Sequence, residues 1–116
     1  MRRIFAGCFL AVAFLANSSL GLAQDGEGHG KFHAGFYDEL LKPGTTDSCC
    51  NQNDCAPTRA YSLDGVNFIA DIHGTWCPID PKKIIWHKNP PDHGAHVCAP
   101  KPSGFTPVCM HFCFVP

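Results

Sequence analysis

Residues 59–79 read RAYSLDGVNFIADIHGTWCPI. Tyr61 and Leu63 alternate with Ala60 and Ser62; Val66, Phe68, Ala70 and Ile72 then alternate with Asn67, Ile69 and Asp71. A period of two marks strands with one face in a core and the other in water. Asp64-Gly65 and His73-Gly74 punctuate the run. Glycine enters the left-handed region without steric penalty, which suits a two-residue hairpin turn. The stretch predicts an antiparallel β-meander whose last strand, Thr75 to Ile79, carries Trp76 and Cys77.

Upstream, Phe32, Phe36 and Leu40 recur every four residues, with Tyr37 and Leu41 beside them. That is one apolar face at the helical period. It predicts a helix over Lys31 to Lys42, weakened by Gly35 and ended by Pro43-Gly44. Thr45 to Thr58 (TTDSCCNQNDCAPT) has no apolar period and three cysteines among Asx and Ser residues. It reads as a loop ordered by cross-links. Gln24 to Gly30 (QDGEGHG) reads as a polar, flexible leader. Downstream, His87 to Ala95 is an irregular Pro- and Gly-containing loop, and His96 to Ala99 a short strand. The tail Val108 to Val115 (VCMHFCFV) alternates strictly and reads as a closing strand.

The first residues describe export. Met1-Arg2-Arg3 is basic, Ile4 to Ala16 is uncharged and mostly apolar, and Gly21-Leu22-Ala23 offers a small-x-small cleavage site. This is the anatomy of a secretory signal peptide over residues 1–23. Asn17, Ser18 and Ser19 interrupt the run short of the roughly 20 apolar residues of a membrane span. The domain boundaries are therefore 1–23 signal, 24–30 leader and 31–116 a single disulfide-rich domain, periplasmic or secreted, with no membrane span after cleavage.

The chain has 116 residues, eight cysteines and a net charge of -1 with no basic block. Nucleic-acid binding by bulk charge is excluded. One cysteine, Cys8, leaves with the signal. The others are Cys49, Cys50, Cys55, Cys77, Cys98, Cys109 and Cys113. There is no Cys-x-x-Cys, so a thioredoxin-like redox motif is absent. In an oxidising compartment these cysteines are disulfide candidates, and a small exported domain commonly needs such staples. Adjacent Cys49 and Cys50 should reach different partners. On a strand, Cys109 and Cys113 would lie about 13 Å apart, beyond the roughly 7 Å that a disulfide tolerates. Each must bond elsewhere. Cys77 is a partner for one, and Cys98 or the Cys49–Cys55 loop for the other. The seventh cysteine is left over, and spacing does not say which it is.

Chemistry rests on the histidines. His87, His93 and His96 fall within ten residues, His111 sits between two cysteines, and His29 and His33 form a pair four residues apart. Imidazole and thiolate suit copper or zinc. His87, His93, His96 and His111 are thus candidate metal ligands, while His111 between two anchored cysteines also reads as structural. No cofactor is otherwise expected. Gln24-Asp25-Gly26 lacks the third-position histidine of an amino-terminal copper site. Asn51, Asn53 and Asp54 resemble part of a calcium loop whose acidic spacing is incomplete and whose closing Glu is missing. No serine elbow, phosphate loop or paired-carboxylate motif occurs. Trp76, Trp86, Tyr61, Phe68 and Phe105 could line a groove for a peptide or glycan.

The run His33 to Cys55 (HAGFYDELLKPGTTDSCCNQNDC), the meander ending in Gly74-Thr75-Trp76, and Pro91 to Cys98 (PDHGAHVC) together resemble an uncharacterised family of small exported bacterial Cys-rich proteins. Its pattern is a helix, an SCC-x4-C loop, a β-meander with a Trp-x-Pro turn and a carboxyl-terminal Cys-Phe-x-Pro, here Cys113-Phe114-Val115-Pro116. The resemblance covers most of the mature chain and implies topology and export but no activity. It also implies that Cys77 and Cys109 are an additional pair. The sequence thus predicts a disulfide-stapled α+β domain, one amino-terminal helix packed on an antiparallel β-meander, with an SH3-like barrel as its closed form. Its expected role is a non-enzymatic module binding a protein, peptide or glycan in the envelope, the alternative being a metal-binding protein.

Overall fold

The computed structural model describes residues 29–50 and 54–116. The predicted signal peptide (1–23), residues 24–28 of the predicted leader and Asn51 to Asn53 lie outside the described residues. Six short strands form two antiparallel sheets. They are β1 (Cys55–Thr58), β2 (Ala60–Ser62), β3 (Phe68–Ile72), β4 (Thr75–Pro78), β5 (Ala95–Cys98) and β6 (Cys113–Val115). The first sheet, in the order β2-β3-β4, is the predicted meander. His73 and Gly74 both have positive φ, 49° and 88°, and join the register partners Ile72 and Thr75 in a two-residue turn. The Asp64-Gly65 connection is longer than predicted, because Ser62 already pairs with Phe68. A single carboxylate oxygen, Asp64 Oδ1, organises this loop by accepting the N–H groups of Val66 and Asn67.

The second sheet, β1-β5-β6, was only partly foreseen. Strand β1 lies in the stretch read as a loop. It has no alternation to betray it, and its order comes from pairing with β5. Pro57 is tolerated because β1 is an edge strand. This sheet is the middle layer. Val97 and Phe114 point into one core with Ala70, Ile72, Cys77 and Ile79 of the meander. Cys55, Cys98, Cys113 and Val115 point into a second core with Phe32, Phe36, Tyr37 and Leu40. The amino-terminal segment therefore packs on β1-β5-β6 and not on the meander. The described pairings are two three-stranded sheets, with no closure into an SH3-like barrel among them. The sheets are joined where the Thr58 hydroxyl donates to the Asp71 carbonyl and Asp71 N–H donates to Arg59 O.

The predicted helix is broken. An α-helix, α1, spans only His29–His33, and a 3-10 helix follows at Tyr37–Glu39. Gly35 is the cause: its φ of 81° is left-handed and ends the α-helical path. Its N–H donates to Asp38 Oδ1, which starts the second turn. The apolar spacing still works, since Phe32, Phe36, Tyr37 and Leu40 are all buried, but Leu41 is exposed. Residues 29 and 30, read as leader, belong to α1.

The tail is likewise shorter as a strand than its alternation implied, because β6 begins only at Cys113. Before it the chain turns, with Met110 N–H donating to Pro107 O, and leaves Val108 and Met110 exposed. Cys109 is drawn away to Cys77 of the meander.

Three disulfides hold the layers together: Cys49–Cys113, Cys55–Cys98 and Cys77–Cys109. Cys49 and Cys50 do differ in fate, and both tail cysteines are bonded as expected. Cys98 is the register partner of Cys55 on one side and of Cys113 on the other. Three half-cystines thus stand in a row across the middle sheet. Such bonds persist in oxidising, extracellular or periplasmic surroundings.

Candidate metal centre

Among the described residues, one group of metal-competent side chains converges: His29, His33 and Cys50. The two histidines are one helical turn apart on α1, so they share a face. Cys50 follows Cys49, whose bond to Cys113 pins the loop against the sheet, and stands outside all three disulfides.

The geometry follows from hydrogen bonding. His29 Nδ1 lies 2.8 Å from the carbonyl of Cys55. A carbonyl only accepts, so Nδ1–H donates, and in the neutral imidazole Nε2 then holds the lone pair. That nitrogen sits 3.0 Å from His33 Nδ1 and 3.5 Å from Cys50 Sγ. His33 Nδ1 and Cys50 Sγ are 4.0 Å apart. His29 is buried, Cys50 half-buried and His33 exposed. The ring of Tyr37 stacks on His29 with centroids 5.1 Å apart.

Cys50 is not set up as a nucleophile. Burial raises its thiol above the ordinary value, and the Asp54 and Asp38 carboxylates add to that. Backbone N–H groups of Asp54 and Cys55 bond to the sulfur and pull the other way without prevailing. An activated catalytic cysteine needs the opposite balance. A negative surrounding that disfavours a bare thiolate does, however, favour a cation bound to it.

The four histidines named from sequence are not gathered together. His87 and His93 are exposed on the loop before β5. His96 is buried with both ring nitrogens engaged: Nε2–H donates to Asp92 Oδ1 at 2.7 Å, and Nδ1 accepts the Tyr37 hydroxyl at 2.7 Å. His111 is also buried and spoken for. Its Nδ1 faces Cys109 O at 2.9 Å, and its Nε2 accepts the Asp80 N–H at 3.1 Å. Both are structural, and a ligand role would require breaking those bonds. The pair that converges, His29 and His33, was visible as a four-residue spacing. The composition around His29 reads as leader and masks the pair. Cys50 became identifiable only through the three described disulfides, which join six other cysteines.

The aromatic residues are divided. Phe68 packs on Phe114 with centroids 5.3 Å apart. Tyr61 and Trp76 are half exposed and meet at 5.6 Å, and the Arg59 guanidinium lies 5.3 Å from the Trp76 ring centre. No helix among the described residues is long and apolar enough to cross a membrane. Compared with family models, curated proteins and solved structures, the chain matches none.

Proposed function

We propose that this chain is an exported, non-enzymatic binding module whose ligand is a transition metal ion of the zinc or copper class, held by His29, His33 and Cys50. The signal-like start and the disulfides support a periplasmic or secreted location, and the motifs quoted above support membership of the family of small exported bacterial Cys-rich proteins. The observation that carries the reading is the donor triangle. A tetrahedral ion with ordinary bond lengths sets its ligands about 3.3 Å apart for two nitrogens and about 3.6 Å for nitrogen and sulfur. The separations here are 3.0, 3.5 and 4.0 Å, so small side-chain adjustments suffice. The bond from His29 Nδ1–H to the Cys55 carbonyl fixes the tautomer that leaves Nε2 to the metal, a typical support for a ligating imidazole. Binding moves the His33 proton to its other nitrogen and releases the Cys50 proton, leaving a thiolate.

The test is native mass spectrometry and elemental analysis of the purified, disulfide-intact protein after exposure to Zn(II) or Cu(I). One ion per chain is expected, lost in H29Q and C50S. Absence of stoichiometric metal at micromolar concentrations overturns the reading and returns the search for a ligand to the exposed Tyr61–Trp76 surface.

A further inference from the structure

The three disulfides have an uneven reach. They join Cys49 to β6, β1 to β5, and β4 to the tail turn. None has an end within residues 29–48, so this segment is tied to the sheets by contacts alone. Its helix α1 includes His29–His33. The segment docks through hydrogen bonds from His29 to Cys55 O and from the Tyr37 hydroxyl to His96, and through an aromatic cluster in which Phe32 lies edge-on to His96 at 5.0 Å. The three candidate ligands straddle this joint, His29 and His33 on the unstapled segment and Cys50 beside the first staple.

We infer that metal binding acts as a fourth cross-link that closes the amino-terminal segment over the face of the middle sheet that presents Cys55 and His96, so that metal loss releases it. The inference rests on the reading of the site given above and adds what occupancy does. A metal that binds only the closed form adds its binding free energy to closure and to nothing else. Opening separates the His29 and His33 donors from Cys50, so the open form lacks the complete set.

Lys31 is exposed on α1 and offers trypsin a cut before Phe32; Arg59, between β1 and β2, offers a reference cut outside the segment. When opening is fast, cleavage tracks the population of the open form. With zinc at a hundred times its dissociation constant, cleavage after Lys31 should slow by about a hundredfold relative to metal-free protein. Cleavage after Arg59 should be unchanged. C50S and H33Q, with disulfides verified by peptide mapping and Arg59 still cut at the wild-type rate, should show no zinc effect at Lys31. Amide hydrogen exchange over residues 29–36 should follow the same pattern. An occupied site, confirmed by one zinc per chain, with unchanged cleavage and exchange overturns this inference alone. A protein that takes up no zinc removes the reading of the site as well.

Discussion

Replacing Cys77 and Cys109 together by alanine tests what the staples do. Cys77 is buried in the core between the sheets, whereas Cys109 is exposed in the tail turn. The turn keeps its other ties: Asp80 N–H to His111 Nε2, and Lys83 Nζ to His111 O. The native fold should survive, and the loss should come mainly from the freed unfolded chain. The bond spans 32 residues, which in the chain-entropy treatment corresponds to about 3.7 kcal/mol. By span alone, Cys49–Cys113 at 64 residues should be worth more, about 4.3 kcal/mol. The bonds are not independent, however. The path from Cys49 to Cys55, across to Cys98 and on to Cys113 closes a ring of only about 22 residues, which lowers the value to about 3.4 kcal/mol. The two double variants C77A/C109A and C49A/C113A should therefore show similar entropic losses despite a twofold difference in span. The buried sulfurs of the second add a packing loss. The assay is urea unfolding at 25 °C and neutral pH. Both midpoints should fall and both slopes rise, because a less cross-linked unfolded state exposes more surface. A C77A/C109A loss below about 1 kcal/mol would refute the reasoning, since the cross-link would then not be restricting the unfolded chain as the entropy treatment requires.

Three further outcomes follow from buried polar groups. Y37F removes the donor to His96 Nδ1 and should lower stability by about 1–3 kcal/mol; a thermal melt within experimental error of the wild type would mean that His96 finds another partner. Burial works against ionisation of Asp92, but hydrogen bonds from His96 and the Gly94 N–H together outweigh it and hold the carboxyl below the ordinary value. A carboxylate depressed in the fold contributes stability above its unfolded value, near pH 4, and loses it as the pH falls through the folded value; D92N should remove that part of the acid slope in urea midpoints measured from pH 7 to pH 2. Finally, H87A and H93A should leave zinc stoichiometry unchanged, as should H111A despite its loss of stability, because their rings lie outside the donor group; a lost ion in any of them would point back to the histidines first selected from sequence.

What could be read in the sequence was whatever burial writes into it. The meander was readable because β3 has one buried face, and the His73-Gly74 turn because its backbone demands positive φ. Strand β1 was not, since CAPT carries no alternation and is ordered by its partner across a disulfide. The helix was over-read because Phe32, Phe36 and Leu40 keep helical spacing on both sides of a break that one glycine imposes. The tail misled for the opposite reason: its alternation is real in sequence, but a bond to Cys77 and a buried His111 outweigh strand pairing there. The candidate centre was half visible. Histidine spacing is local, but that Cys50 stands outside the three described disulfides depends on long-range bonds, and nothing local records those.

Those bonds also govern how the molecule can be made. In chain order the cysteines of the domain run 49, 50, 55, 77, 98, 109, 113, and no native bond joins two that are consecutive. If the chain is exported amino terminus first, as proposed, it presents Cys49, Cys50 and Cys55 before any native partner has emerged. An oxidant that couples neighbours as they appear makes only wrong pairs, and even with the middle sheet assembled Cys98 faces two half-cystines of which one is right. Maturation therefore depends on reshuffling more than on oxidation. In a host that oxidises quickly and isomerises poorly, the yield of this protein should rise with added disulfide isomerase.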